Sequence, residues 1–264
     1  MHWLAVHFYP LETPDLFLSR AVKPFLEQYI WPTKGARAFF VRYEDHIRLR
    51  MKGEAAWVDE TLREAVAGWF AERGAQQAGV YEPEVERYGG AELLPWAEEH
   101  FHISTRVVLD RLAQPVRTYG DTLFDAMRSH VMALFAAGLD RQQAARYCAQ
   151  LSEQWLPVFF RPLEGTFNED LAQGVREQFE ARLARQREDL EPVLDALWKA
   201  LEAGEFDKKQ PEWLRWFRGN ELVFQAYGER LPHVLPSLLH LHNNRIGVHN
   251  QDEVFLFYAL GRTL

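Results

Sequence analysis

A single cysteine, Cys148, in 264 residues excludes an intramolecular disulfide, so this fold has to rest on an apolar core. Cys148 sits among small and apolar neighbours in a helical stretch, 141–154, where a thiol is ordinarily packing and not a nucleophile. No apolar run approaches the roughly 18 residues of a membrane span. The start, Met1-His2-Trp3-Leu4-Ala5-Val6-His7, lacks the basic opening and cleavage site of a signal peptide. A cytoplasmic protein with no membrane partner is the expectation. Excess positive charge is missing too: 30 Lys+Arg stand against 38 Asp+Glu, a formal net charge of -8. That balance disfavours a broad surface gripping a phosphate backbone, so no direct nucleic-acid contact is expected. Also absent are a phosphate-cradling Gly-rich loop, a nucleophile elbow and a dinucleotide fingerprint. His240 and His242 do not make a metal pair, because i and i+2 point about 200° apart on a helix. Neither a metal nor a cofactor is expected.

With 47% hydrophobic and 26% charged residues, what remains is an ordinary globular composition, long enough to bury a sizeable core. We expect one domain spanning 1–264. Trp3 to Tyr9 alternates and is aromatic, a first strand ended by Pro10. Thr13 then offers an N-cap oxygen with Pro14 at the first helical position and Asp15 in the first turn. The stripe Leu16, Leu18, Val22, Phe25 and Leu26 continues that helix, with a kink expected at Pro24. Residues 36–43 and 46–52 flank Glu44-Asp45 as a hairpin. A helix is predicted over 55–73, ended by Gly74, and a strand over 76–81. Beyond residue 91 helical periodicity takes over: 91–113, 118–138, 140–154, 168–187, 189–204, 212–228, 232–246 and 250–262. The fold class is therefore α+β: a small sheet containing antiparallel strands, from the N-terminal third, packed with a largely helical remainder. The charged stretch 182–191 alternates in sign, as a solvated helix face does.

Chemistry concentrates in three segments. In His46-Ile47-Arg48-Leu49-Arg50-Met51 the apolar positions alternate with His46, Arg48 and Arg50, the period of a strand with one buried face. Arg48 and Arg50 then point to one side, their Cα atoms roughly 7 Å apart. Two guanidinium forks at that spacing can converge on a carboxylate or enolate. A strand arginine usually snorkels or pairs with an acid such as Glu44, but Arg42, Arg48 and Arg50 keep unusual company. The loop Tyr81-Glu82-Pro83-Glu84-Val85-Glu86-Arg87-Tyr88-Gly89-Gly90 has the composition of a pocket wall, its glycines free to adopt positive φ. On the last segment Ser237, His240 and Asn244 lie at i, i+3 and i+7, one face of a helix, with His242 and Arg245 on an adjacent face. A histidine sharing a face with Ser and Asn is suited to general acid or base work.

The order of Trp3 to Tyr9, Ala38-Phe39-Phe40-Val41-Arg42-Tyr43, His46 to Arg50, Tyr81-Glu82-Pro83-Glu84 with Arg87-Tyr88-Gly89-Gly90, Phe101-His102-Ile103-Ser104, and Ser237-Leu238-Leu239-His240 with Asn244-Arg245 resembles the thiopeptide-type bacteriocin biosynthesis family. The same domain forms the C-terminal elimination module of class I lantibiotic dehydratases. The resemblance implies that Ser or Thr of a precursor peptide, glutamylated from glutamyl-tRNA by a separate module, loses glutamate here to become dehydroalanine or dehydrobutyrine. It implies catalytic roles for Arg48, Arg50 and Arg87, which would bind the glutamyl carboxylate and developing enolate, and for His240, which would handle protons. Arg42, Tyr81, Ser237, Asn244 and Arg245 are the implied substrate contacts. The chain has no long glutamylation module of its own, so a stand-alone elimination protein working beside a separate glutamylating enzyme is expected, with homodimerisation left open. Two alternatives stay open: the formal [4+2] cycloaddition by which some stand-alone relatives build the pyridine of thiopeptides, and a non-catalytic peptide-binding scaffold.

Overall fold

Alternation along Ile47–Gly53 does what its pattern dictates. Ile47, Leu49 and Met51 are fully buried, while Arg48, Arg50 and Lys52 between them are half-buried. The computed structural model describes residues 1–114, 117–162 and 166–264. Its four strands, β1 (His2–Pro10), β2 (Arg37–Arg42), β3 (Ile47–Gly53) and β4 (Gly74–Gly79), form one antiparallel sheet in the order β2-β3-β1-β4. The buried face carries Leu4, Val6, Phe8, Ala38, Phe40 and the three apolar residues of β3. Each large side chain removed from water here contributes roughly 1.5–3 kcal/mol.

The first helix, α1 over residues 14–29, starts as its sequence requires: the Leu16 amide donates to Thr13 Oγ1 at 3.5 Å, and Pro14 occupies the first turn. A π-helical turn, Leu18–Val22, separates Pro14–Phe17 from Lys23–Tyr29. Pro24, just after that turn, has no N–H for the Arg20 carbonyl. The second helix, α2 over residues 55–69, is capped by Glu54, whose carboxylate accepts the Trp57 amide at 3.1 Å. It ends four residues earlier than the periodicity suggests. Gly74 adopts φ +135, and a Cβ there would meet the Tyr9 carbonyl oxygen at 2.2 Å, so glycine lets the chain turn straight into β4. The strand therefore begins two residues before the predicted start. Phe8, Phe17, Phe25 and Phe70 join the sheet to both helices, with Phe8 and Phe70 ring centroids 4.5 Å apart.

After a 3₁₀ turn, Glu86–Tyr88, the chain is helical: α3 (Leu94–Leu112), α4 (Tyr119–Ala136), α5 (Arg141–Phe159), α6 (Glu169–Ala184), α7 (Arg187–Glu202), α8 (Pro211–Tyr227), α9 (Leu231–Ile246) and α10 (Asn250–Thr263). Two compact units result, Met1–Arg117 with Gln225–Gly247, and Thr118–Phe224 with Val248–Leu264. The second is helical. Capping boxes at Thr118/Asp121 and Asp140/Gln143 start α4 and α5, and α5 packs so tightly on α10 that a Cβ on Gly261 would lie 2.8 Å from the Ala149 amide.

The first unit holds the sheet, α1, α2, α3 and α9. β2 is an edge strand, and an open edge exposes unpaired backbone groups. Here side chains from α3 and α9 cover it. His102 Nδ1 lies 3.2 Å from the Ala38 amide, and Thr105 Oγ1 accepts the Phe40 amide at 3.4 Å. Arg245 Nε donates to the Phe40 carbonyl at 2.8 Å. Asn244 takes the place of a strand residue: its Oδ1 accepts the Arg42 amide and its Nδ2 donates to the Arg42 carbonyl, both at 2.9 Å. Replacing Asn244 by Ala leaves both Arg42 groups without a partner. It should cost about 2 kcal/mol, read as a lower urea midpoint; a loss under about 0.5 kcal/mol contradicts this role for the amide.

Candidate anion-binding site

The sheet's other face builds the site. Register sets Arg50 opposite Ala5 on β1 and Phe39 on β2, and Arg48 opposite His7 and Val41. Both arginines thus share a face, as their spacing predicts, and both line a cavity of ≈ 380 Å³ closed by Phe39, Val41, Tyr43, the Tyr81–Tyr88 loop, Phe101 of α3 and Leu241 of α9. The Arg50 guanidinium carbon stands 5.4 Å from the Phe39 ring centroid and 5.0 Å from that of Tyr81. Burial pulls its pKa below the ordinary arginine value, and Arg48 adds to this. Arg48 lies 3.9 Å from the Tyr43 ring centroid and donates from Nε to His46 Nε2 at 3.0 Å. Among the described residues neither guanidinium pairs with a carboxylate, and that bond to His46 is the only side-chain hydrogen bond either makes.

Opposite them stands the loop. Tyr81 packs on Trp3 with ring centroids 4.6 Å apart and stands near Glu98, which pairs with Lys52 Nζ at 2.8 Å. Burial first, and Glu98 second, push the Tyr81 phenol well above its usual range, so it stays protonated. Arg87 is presented by the Glu86–Tyr88 turn, which Gly89 ends at φ +86 and Gly90 follows at φ +97, the conformations that the glycine pair permits. Arg87 Nε donates to Ser237 Oγ at 3.0 Å, and its Nη1 pairs with Glu84 at 3.0 Å. Glu84 is largely exposed, so this ion pair is weak and exchangeable.

Residues as far apart as Arg48, Arg50, Tyr81 and Arg87 are therefore brought together, with Ser237 one hydrogen bond away. His240 is half-buried on α9, one residue before Leu241, and is not among the side chains lining the cavity. His242 is fully buried and bonded through Nδ1 to Ser104 Oγ at 2.9 Å. Arg42, Asn244 and Arg245 serve the wall behind the site. Arg42 Nε donates to the Arg245 carbonyl at 2.7 Å and its Nη1 pairs with Asp15 at 2.5 Å. Arg245, fully buried, lies 4.7 Å from the Phe101 ring centroid, and burial lowers its pKa to about 9. Sequence reasoning missed Tyr43, His46 and His7, which surround Arg48. Their only signal is alternation in phase with Arg48, and the pairing of β1 with β3 is not written in either strand alone.

Such an arrangement can hold an anion. A guanidinium taken partly out of water with no counter-charge is costly. An incoming carboxylate or enolate oxygen would supply the missing charge, and Arg87 could join by exchanging Glu84 for it. Aromatic walls lower the local dielectric and strengthen both interactions.

Comparison with known proteins places this geometry in context. The family described as lantibiotic biosynthesis dehydratase C-term matches residues 3–264. The subtilin biosynthesis protein SpaB of Bacillus subtilis is 34% identical over 116 residues, 40% of this chain and 11% of that protein. The tRNA-dependent lantibiotic dehydratase MibB of Microbispora sp. 107891 superposes with a TM-score of 0.70 at 20% identity, over 98% of this chain and 27% of its own. This chain thus spans about a quarter of that enzyme. The pyridine synthase TbtD of thiomuracin biosynthesis gives 0.75 at 15% identity, over 100% of this chain and 97% of its own. The match over residues 3–264 leaves almost none of the sheet, the arginine cavity or the helical unit outside it, and the chain belongs to the lantibiotic biosynthesis dehydratase C-terminal family.

Proposed function

We propose that this chain eliminates glutamate from glutamylated Ser or Thr of a ribosomal precursor peptide, in lanthipeptide or thiopeptide maturation. The observation that carries the proposal is the Arg48 and Arg50 pair, held in a cavity without a carboxylate partner among the described residues. In the reaction a base removes the Cα proton, the electron pair forms the Cα–Cβ double bond, and the Cβ–O ester bond breaks to release glutamate. Negative charge grows on the neighbouring amide oxygen and then on the departing carboxylate. Fixed guanidinium donors stabilise both. Arg48, Arg50 and Arg87 are assigned that work, with Tyr81 shaping the wall. His240 is assigned proton transfer, on its match to the family motif and its place on α9. Ser237 acts by holding Arg87. Arg42, Asn244 and Arg245 act by fixing β2 to α9. Glutamylation is supplied by a separate glutamyl-tRNA-dependent activity, residues 1–264 work as one functional domain, and the setting is cytoplasmic. No described helix is long and apolar enough to cross a membrane.

The second reading, pyridine formation by [4+2] cycloaddition, draws its support from TbtD, a structural neighbour that the chain matches along nearly its whole length. Mass spectrometry separates the two. Given a glutamylated peptide, the purified protein should release glutamate and leave a dehydro residue with no added metal, nucleotide or tRNA. Inertness towards that ester, with conversion of a peptide already carrying two dehydroalanines and release of its leader, establishes cycloaddition instead. Tight peptide binding with neither reaction establishes a scaffold.

If elimination holds, Arg50→Ala, Arg87→Ala and His240→Ala should each slow it roughly 100-fold, the equivalent of about 3 kcal/mol of transition-state stabilisation. Glu84 competes with substrate for Arg87, so Glu84→Gln should lower KM about 2- to 5-fold, the weight of an exposed ion pair. A raised KM would show that Glu84 helps to hold the substrate.

A further inference from the structure

Arg48 is aimed by something the reaction does not itself use. Its Nε donates to His46 Nε2 at 3.0 Å, and His46 Nδ1 lies 2.6 Å from Asp45 Oδ1. An imidazole that accepts at Nε2 carries its proton on Nδ1, where Asp45 receives it, so these contacts fix one neutral tautomer. The His46 side chain is only 11% exposed. Its ring stacks on Tyr43 at 4.7 Å with an interplanar angle of 8°, and the rings of Tyr9 and His7 each lie 5.3 Å away. Arg48 is thus held at Nε by His46 and over its flat face by Tyr43, which leaves its two terminal amino groups for a ligand.

We propose that His46 is a positioning residue: its neutral Nε2 orients Arg48 towards the cavity, and its protonation releases Arg48 and weakens carboxylate binding. The proposal rests on the reading of the cavity as a carboxylate site. A protonated His46 has no lone pair for Arg48 and sets two cations against each other at a 3.0 Å contact. Asp45, on the hairpin, faces His46 Nδ1, and its own pKa is lowered chiefly by that hydrogen bond. Arg48 on β3 is the cation that His46 Nε2 faces. His7 on β1 faces the same ring but is pushed below its ordinary pKa by burial and then by Arg48, His46 and Arg50, so it stays neutral further into acid. The rings of Tyr9 and Tyr43 stack on that of His46.

Calorimetric titration of the full chain with L-glutamate, from pH 8 to pH 5.5, tests this. Across that interval an imidazole changes charge while the probe's carboxylates do not. The wild type should lose affinity about 10-fold. His46→Gln keeps an acceptor oxygen that does not titrate, and its affinity should change less than about 2-fold. His46→Phe keeps the stacking but has no acceptor, and should bind weakly at every pH. The proposal is overturned if His46→Gln retains the wild-type pH dependence, or if His7→Gln removes it instead. Absence of glutamate binding at pH 8 refutes the carboxylate site itself, and this role with it; binding whose pH dependence survives His46→Gln refutes the role alone.

Discussion

Two arginines on alternate positions of one strand, facing an aromatic cavity and given no carboxylate among the described residues, are the constraint around which the first unit is arranged. Placing like charges side by side and partly out of water lowers stability. The structure limits the cost with ring faces: Phe39 and Tyr81 around Arg50, Tyr43 beside Arg48. Cation–π contacts of this kind offset about 0.5–2 kcal/mol each, and they leave the in-plane donors unspent. A carboxylate partner would have held the arginines more firmly and closed the site to an incoming anion.

The remaining architecture keeps that pair still. Ile47, Leu49 and Met51 lock β3 from the buried side, so the arginines cannot shift register without exposing three core residues. β2 supplies Phe39 and Val41 to the cavity, and its own outer edge is tied to α9 by Asn244 and Arg245. The same helix brings Ser237 to Arg87 and Leu241 to the cavity. One segment of sequence therefore reaches the site by two routes, holding the sheet from behind and the loop from in front. The polar residues of that segment divide between those tasks by their place along α9: Ser237, nearer its start, reaches the loop, and Asn244 and Arg245, in its last turn, reach the sheet edge.

Much of this is legible in the chain because it depends on local periodicity. The common face of Arg48 and Arg50 follows from period two, the wall-forming loop from its Pro, Gly and aromatic content, and the helical remainder from its spacing. What is not legible depends on pairing between distant segments. Asn244 and Arg42 are 202 positions apart, and nothing in either predicts that an asparagine amide will complete a strand edge. His7 meets Arg48 only because β1 pairs with β3 in one register. Helix geometry separates His240 from His242, but which of the two is buried depends on what α9 packs against, and the structure buries His242 against Ser104. Gly74 shows a further kind of limit: read as punctuation it predicts the end of a helix, but the helix stops at Trp69 and Gly74 opens the strand, where its positive φ is needed.

The central claim is that the guanidinium groups of Arg48 and Arg50, which meet no carboxylate among the described residues, are the receiving surface for a carboxylate. A crystal structure with a peptide bearing a stable amide-linked analogue of glutamyl-serine tests it most directly. The account predicts the glutamyl carboxylate or the neighbouring peptide carbonyl within about 3 Å of terminal nitrogens of both Arg48 and Arg50, the distance of a charge-assisted hydrogen bond, with Arg87 turned from Glu84 towards the ligand. An analogue bound elsewhere, with Arg48 and Arg50 still without an anionic partner, contradicts it.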